Sequence, residues 1–229
     1  MTALKKKGSA QTRKIYERHG CPGNFFGVKV GDLKVIAKQI KGNQELACDL
    51  YDTGNADAMY LAGIVADGSQ MTKKQLDGWA KNAPWYMVAE YSVPGVTCES
   101  DHARPLAMKW IKARNEAVAS AGWNTYSGIV TTTEDSELDL KEVEELLKKV
   151  ESDIDKAKNR VKYTMNAFVI AVGGYVKPLS KKAKALAKKI GKVEVDMGDT
   201  SCKVPLATEY IAKMEKSGRA FKKRKTIKC

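Results

Sequence analysis

Two segments carry apolar residues around most of their circumference, and they constrain the fold more than any other feature. They are 56–67 (ADAMYLAGIVAD) and 160–176 (RVKYTMNAFVIAVGGYV), the second closed by Pro178. A helix without a broad polar face has to be covered on several sides, so it belongs inside an array of helices. The rest of the chain reads as helix after helix, and strand-like alternation is scarce. Segment 31–41 places Leu33, Ile36, Ala37 and Ile40 at helical spacing behind Asp32, a plausible N-cap. Segment 43–53 follows, and 72–82 opens with Thr72 and Gln75 at capping-box spacing. Helices are expected at 84–92, 99–113, 115–131 and 139–157, then at 180–191 and 205–216. Segment 180–191 puts Leu179, Ala183, Leu186 and Ile190 on one stripe and Lys181, Lys184, Lys188 and Lys192 on the opposite face. Polar residues around Gly198 make 192–204 a loop with room for one short hairpin.

These segments pair into helix–turn–helix units of roughly 35–45 residues, the size of HEAT-type repeats, although no clean internal sequence repeat is visible. The expected class is all-α, an α-solenoid of antiparallel helix pairs. No interior linker divides the chain. Residues 1–229 are therefore expected to form one domain with a basic tail at 217–229.

Charge narrows the partner. Lys and Arg number 40 against 27 Asp and Glu, a formal net charge of +13. The excess sits in blocks: residues 1–14, 177–192 and 217–229 hold only basic charges, whereas 134–155 is acidic. Block-wise positive charge suits a polyanion, nucleic acid first, and equally suits solvated lysine faces. No apolar run is long enough for a bilayer, and the N-terminus lacks the apolar stretch of a secretory signal. Five cysteines at wide, irregular spacing fit reduced thiols in the cytoplasm. With only His19 and His102 and no C-x-x-C, neither a metal nor another cofactor is expected. Glycine-rich phosphate loops and the G-x-S-x-G elbow are both missing.

Three stretches could carry function. In 23–40, Phe25 and Phe26 precede Gly27, either as a packed turn or as a loop at the edge of a cleft. In 79–94, Trp79, Trp85, Tyr86 and Tyr91 could stack exposed bases, though aromatics at helical spacing are more often core. Glu90 is the carboxylate nearest these rings. It could stabilise a cationic sugar, or serve as an ordinary surface or capping group. In 159–177, Arg160, Lys162, Tyr163 and Asn166 stand beside a buried helix, where Arg160 and Lys162 could meet phosphates. The KKRK run at 222–225 could also bind phosphates, or be a solvated terminus.

The runs FFGVKVGDLKVIAKQIK (25–41), YLAGIVAD with MTKKQLDGWAKNAPWYMVAEY (60–91), and RVKYTMNAFVIAVGGYVKPL (160–179) resemble the DNA alkylation repair family of HEAT-like repeat proteins. The resemblance implies a solenoid whose basic concave face cradles duplex DNA. Glycosylases of that family excise N3- and N7-alkylated purines with tryptophans, an aspartate and an arginine. Their W-W-D-x-x-D-like run corresponds to WYMVAE (85–90). Trp85 matches, Tyr86 stands where an acid often stands, and the aspartate position falls at Ala89. Glu90 is one residue, or about 100° of helix, out of place. The family's arginine pair falls near 120–123, where there is none, and a further tryptophan falls near Ile170. The sequence is more similar to a branch without glycosylase activity that favours branched DNA.

The resulting expectation is a monomeric, cytoplasmic DNA-binding protein, nucleoid-associated in a bacterium or nuclear in a eukaryote, that binds structured or damaged DNA without glycosylase chemistry. Its contacts are expected from Arg160, Lys162, Tyr163, Lys181, Lys184, Lys188, Trp85 and Tyr86. One alternative is a glycosylase using Glu90 and Trp85. A second is a scaffold for protein or RNA.

Overall fold

The computed structural model describes residues 1–228, so Cys229 lies outside the described residues. Its helices are α1 (Thr2–Lys7), α2 (Ala10–Arg18), α3 (Val30–Gln39), α4 (Gln44–Asp52), α5 (Ala56–Val65), α6 (Lys73–Asn82), α7 (Val93–Thr97), α8 (Ala103–Trp110), α9 (Glu116–Thr132), α10 (Leu140–Asp153), α11 (Asn159–Tyr175), α12 (Ser180–Ile190) and α13 (Ala207–Lys216). A π-helical turn, Val88–Ser92, leads directly into α7.

Local chemistry sets many of the helix starts. Asn43, Asn55, Asn115 and Asp139 each accept a backbone N–H three residues on, at 3.0–3.1 Å. The Thr72–Gln75 capping box forms in both directions at the head of α6. Asp32 is not the cap of α3. That helix begins at Val30, and Asp32 sits in its first turn, paired with Lys7 at 3.2 Å.

The helices form two rows. α5, the π turn with α7, α9, α11 and α13 pack side by side in succession, while α4, α6, α8, α10 and α12 lie against that row and touch one another little. A double row whose members crowd on one side bends toward that side, so the α5-to-α13 row lines the concave face. The two helices read as apolar all round, α5 and α11, both lie in this inner row, where neighbours cover them on several sides. Close approach inside the row depends on missing side chains. A Cβ on Gly63 of α5 would stand 2.4 Å from the Ser92 Cβ.

The apolar core runs along the array in two clusters that meet at α8 and α9. Leu106, Trp110, Val118 and Ala121 belong to the N-terminal cluster. Ala107, Ile111, Ala119 and Trp123, on the adjoining faces of the same helices, belong to the C-terminal one.

Two expectations need correction. Residues 192–204 contain no strand, so there is no hairpin. The loop makes only short-range turns of its own, such as Thr200 N–H to the Gly198 carbonyl at 2.7 Å, and is anchored by a side chain of α11: Asn159 Nδ2 donates to the Asp196 carbonyl at 2.8 Å, and the Asp196 N–H donates to Asn159 Oδ1 at 2.7 Å. The helix expected to stop at 92 runs on through Pro94 to Thr97. Pro94 has no N–H to give the carbonyl of Glu90 four residues before it. The π turn accommodates the proline, and the Asn124 side-chain amide from α9 supplies the missing donor to Glu90 O at 2.9 Å.

Candidate nucleic-acid interface

The π turn determines where Glu90 points. Its side chain is fully buried, and its carboxylate meets Arg160 of α11, 70 residues away, in a two-pronged ion pair. Arg160 Nε donates to Oε1 at 2.8 Å and Nη2 to Oε2 at 2.5 Å. The guanidinium is sandwiched between the rings of Tyr86, at 4.2 Å, and Tyr163, at 4.4 Å. Its remaining edge meets Met197 Sδ at 3.6 Å. Burial pushes the Glu90 carboxyl above its ordinary range, and Arg160 opposes that push. Burial also works against the charge of Arg160, yet the Glu90 hydrogen bonds carry its pKa above the usual value. Glu116 accepts from the Arg160 backbone N–H at 2.7 Å and fixes the start of α11.

The sequence brought Glu90, Arg160, Tyr86 and Tyr163 under suspicion separately, and the fold brings all four together. Glu90 is neither a surface group nor a cap, because its partner arrives from a distant helix. Pro94, four residues after Glu90, is a legible sign that the Glu90 backbone carbonyl needs another donor, but it says nothing of the carboxylate's partner, and Asn124, which supplies that donor, escaped the sequence reading.

Trp85 lies elsewhere. It is buried with Cys21, Phe25 and Ala56, its ring is 4.9 Å from Tyr16, and its Nε1 donates to the His19 carbonyl at 2.8 Å. Tyr86 bridges the two environments, with its hydroxyl 3.1 Å from His19 Nδ1. Burial raises that hydroxyl to about 12, so it stays neutral. The turn at Phe25–Val28 is packed and pinned rather than free. One buried carboxylate, Asp57, accepts the backbone N–H groups of Phe26, Gly27 and Val28 at 2.6, 3.0 and 2.9 Å.

The remaining cations differ in availability. Lys162 is half-buried beside Tyr163 on α11. Lys181 and Lys188 are exposed on α12, in the outer row, while Lys184 is engaged with Glu215 at 2.8 Å. Lys182 and Lys189 reach back to Glu144 and Glu151 of the acidic helix α10. The basic tail is docked. Its Phe221 N–H donates to the Gly174 carbonyl, and its Arg224 N–H to that of Thr131.

Among the described residues, no group of three or more His, Cys, Asp or Glu could hold a metal ion, and no helix is long and apolar enough to cross a membrane.

Comparison with known proteins places this geometry. The family model described as DNA alkylation repair enzyme matches residues 1–192. The chain belongs to this family. Among family relatives, the uncharacterized protein Lin0241 of Listeria innocua is 35% identical over 218 residues, covering 93% of this chain and 94% of the relative. Lmo0209 of Listeria monocytogenes is 34% identical over the same length. A solved structure is similar over 100% of this chain and 97% of its own, with a TM-score of 0.90 and 38% identity. It is described as representing a new family of proteins related to the HEAT-like repeat DNA glycosylases with affinity for branched DNA structures. The two-row helical array is thus a HEAT-like repeat fold.

Proposed function

We propose that this protein binds structured DNA, branched forms first, and does so without excising bases. The observation that carries the binding half is the 38% identity, over the whole chain, to a protein with affinity for branched DNA. Basic blocks on a curved array suit the phosphate backbone. Lys162, Lys181 and Lys188 are the anticipated phosphate contacts, with Lys184 free to exchange Glu215 for a phosphate. Arg160 and Tyr163 border the path from below, their polar ends already engaged. The protein acts as a monomer in the compartment that holds the DNA.

The state of Glu90 supports the other half. Excision of an alkylated purine needs a carboxylate facing the developing sugar cation. Both oxygens of Glu90 face Arg160, and two tyrosine rings close the space around the guanidinium. Trp85 is in the core and its N–H is satisfied.

Fluorescence anisotropy with a four-way junction, a fork and a duplex of equal length, across a salt series, tests the reading. Tighter binding of the junction or fork than of the duplex, persisting at moderate salt, is expected. Equal binding to all three that vanishes with salt would overturn the structural preference.

A further inference from the structure

We propose that residues 219–228 form a docked strap along the C-terminal ends of the inner-row helices, whose outward cations, Lys222, Arg224 and Lys225, grip the DNA phosphate backbone. This rests on the DNA-binding reading above.

The strap runs back along the inner row and crosses successive helix ends. The Phe221 N–H caps the Gly174 carbonyl near the end of α11 at 2.7 Å, and the Arg224 N–H caps the Thr131 carbonyl near the end of α9 at 2.9 Å. Lys223 Nζ donates to the Val130 carbonyl at 2.9 Å and pairs with Asp135 at 2.8 Å, its side chain 8% exposed. Lys228 Nζ reaches the Ala66 carbonyl that ends α5, and also Glu99. Helix C-termini leave carbonyls unpaired and carry partial negative charge, so ammonium groups and N–H donors are the partners they lack. Ile227 seats on α9 where there is no side chain: a Cβ on Gly128 would lie 2.6 Å from Ile227 Cδ1.

The basic residues of the strap therefore divide into two classes. Lys223 and Lys228 face the protein and are paired. Lys222, Arg224 and Lys225 are exposed, and among the described residues no carboxylate lies within ion-pair reach of them. Arg224 also borders a cleft of about 190 Å³ walled by Tyr91, Asn124, Ser127, Thr131 and Tyr175. Those walls are uncharged, with Ser127 donating to the Trp123 carbonyl, Thr131 to the Ser127 carbonyl and Asn124 to the Glu90 carbonyl, which leaves Arg224 as the free charged donor. The one acid there, Glu90, is already bound to Arg160. A free guanidinium among neutral hydrogen-bonding groups recognises a phosphodiester. The paired lysines hold the strap, and the unpaired ones are left for the ligand.

The test is the triple variant K222E/R224E/K225E, which keeps every docking contact described above. Its binding to a fluorescein-labelled four-way junction is read by anisotropy between about 50 and 200 mM salt. A matched variant, K73E/K74E/K141E, makes the same charge change on exposed outer-row positions. The strap variant is expected to melt like the parent, to bind at least tenfold more weakly, and to lose about 2–3 from the slope of log K against log salt, close to 0.9 per phosphate contact. The matched variant is expected to lose less than a third of that slope change. Equal losses in the two variants, or an unchanged strap variant, would overturn the strap while leaving DNA binding intact. A parent chain that binds none of the DNAs would overturn both.

Discussion

At the scale of single residues, the molecule depends on a few buried charges with complete sets of partners. Removing one member of the Glu90–Arg160 pair leaves the other buried and uncompensated, which typically costs about 3–5 kcal/mol. Glu90→Gln should therefore lower the melting temperature by on the order of 10 °C in a chain of this size. The double change Glu90→Met with Arg160→Met should recover much of that loss, because neither charge is then stranded. Thermal melts of the parent and the two variants check this. Asp77, half-buried on α6, makes a second node with exposed lysine partners. Burial alone would raise its pKa, but hydrogen bonds from Lys109, Lys81 and Trp110 at 2.7–2.8 Å hold it well below the ordinary carboxylate range. A folded-state pKa below the unfolded one means stability present above about pH 4 and lost as pH falls toward the folded value. Melting temperature should decline below about pH 4 in the parent and decline less steeply in Asp77→Asn. Neither node was legible from the sequence. Asp77 and Trp110 are 33 residues apart and Glu90 and Arg160 are 70 apart, and the one local partner in either node is Lys81, four residues after Asp77.

At the scale of elements, sequence and structure agree where the signal is local and part where a neighbour supplies a partner. The capping box at Thr72, the apolar surrounds of α5 and α11 and the amphipathic stripe of α12 were all readable, because propensity, capping and periodicity pointed the same way. The helix through Pro94 was not, because its continuation depends on an amide from α9. Asn124→Leu removes that amide and strands the Glu90 carbonyl. It should cost about 1–3 kcal/mol, measurable by urea denaturation, while Asn124→Gln retains part of the stability. The Phe25–Val28 turn follows the same logic on a larger scale. Asp57→Ala leaves three N–H groups without an acceptor and should destabilise by about 3 kcal/mol or more, with the loss seen first as faster amide exchange at Phe26, Gly27 and Val28. The hairpin expected at 192–204 failed for the same reason as the proline boundary: both backbone groups of Asp196 go to Asn159, a partner that the loop's own sequence does not reveal.

On the scale of the whole molecule, a curved double row of helices pairs the acids of its inner side, Glu90, Glu99 and Asp135, with cations of its own. The acidic helix α10 absorbs lysines of α12 in surface pairs, each worth little to stability. The inner face keeps the ordered strap and the Tyr86–Arg160–Tyr163 stack. The charge blocks were visible in the sequence, but which cations remain free was decided only by folding. The similar solved structure is described as related to DNA glycosylases, yet the carboxylate nearest the aromatic cluster is committed to an arginine here. Binding and base excision are therefore expected to come apart. The most direct measurement is the free base released from alkylated junction DNA while anisotropy records the fraction of that DNA bound in the same sample. The expected result is DNA near saturation with 3-methyladenine and 7-methylguanine no higher than in the protein-free control. Base release that rises with the bound fraction and disappears in Glu90→Gln would contradict it.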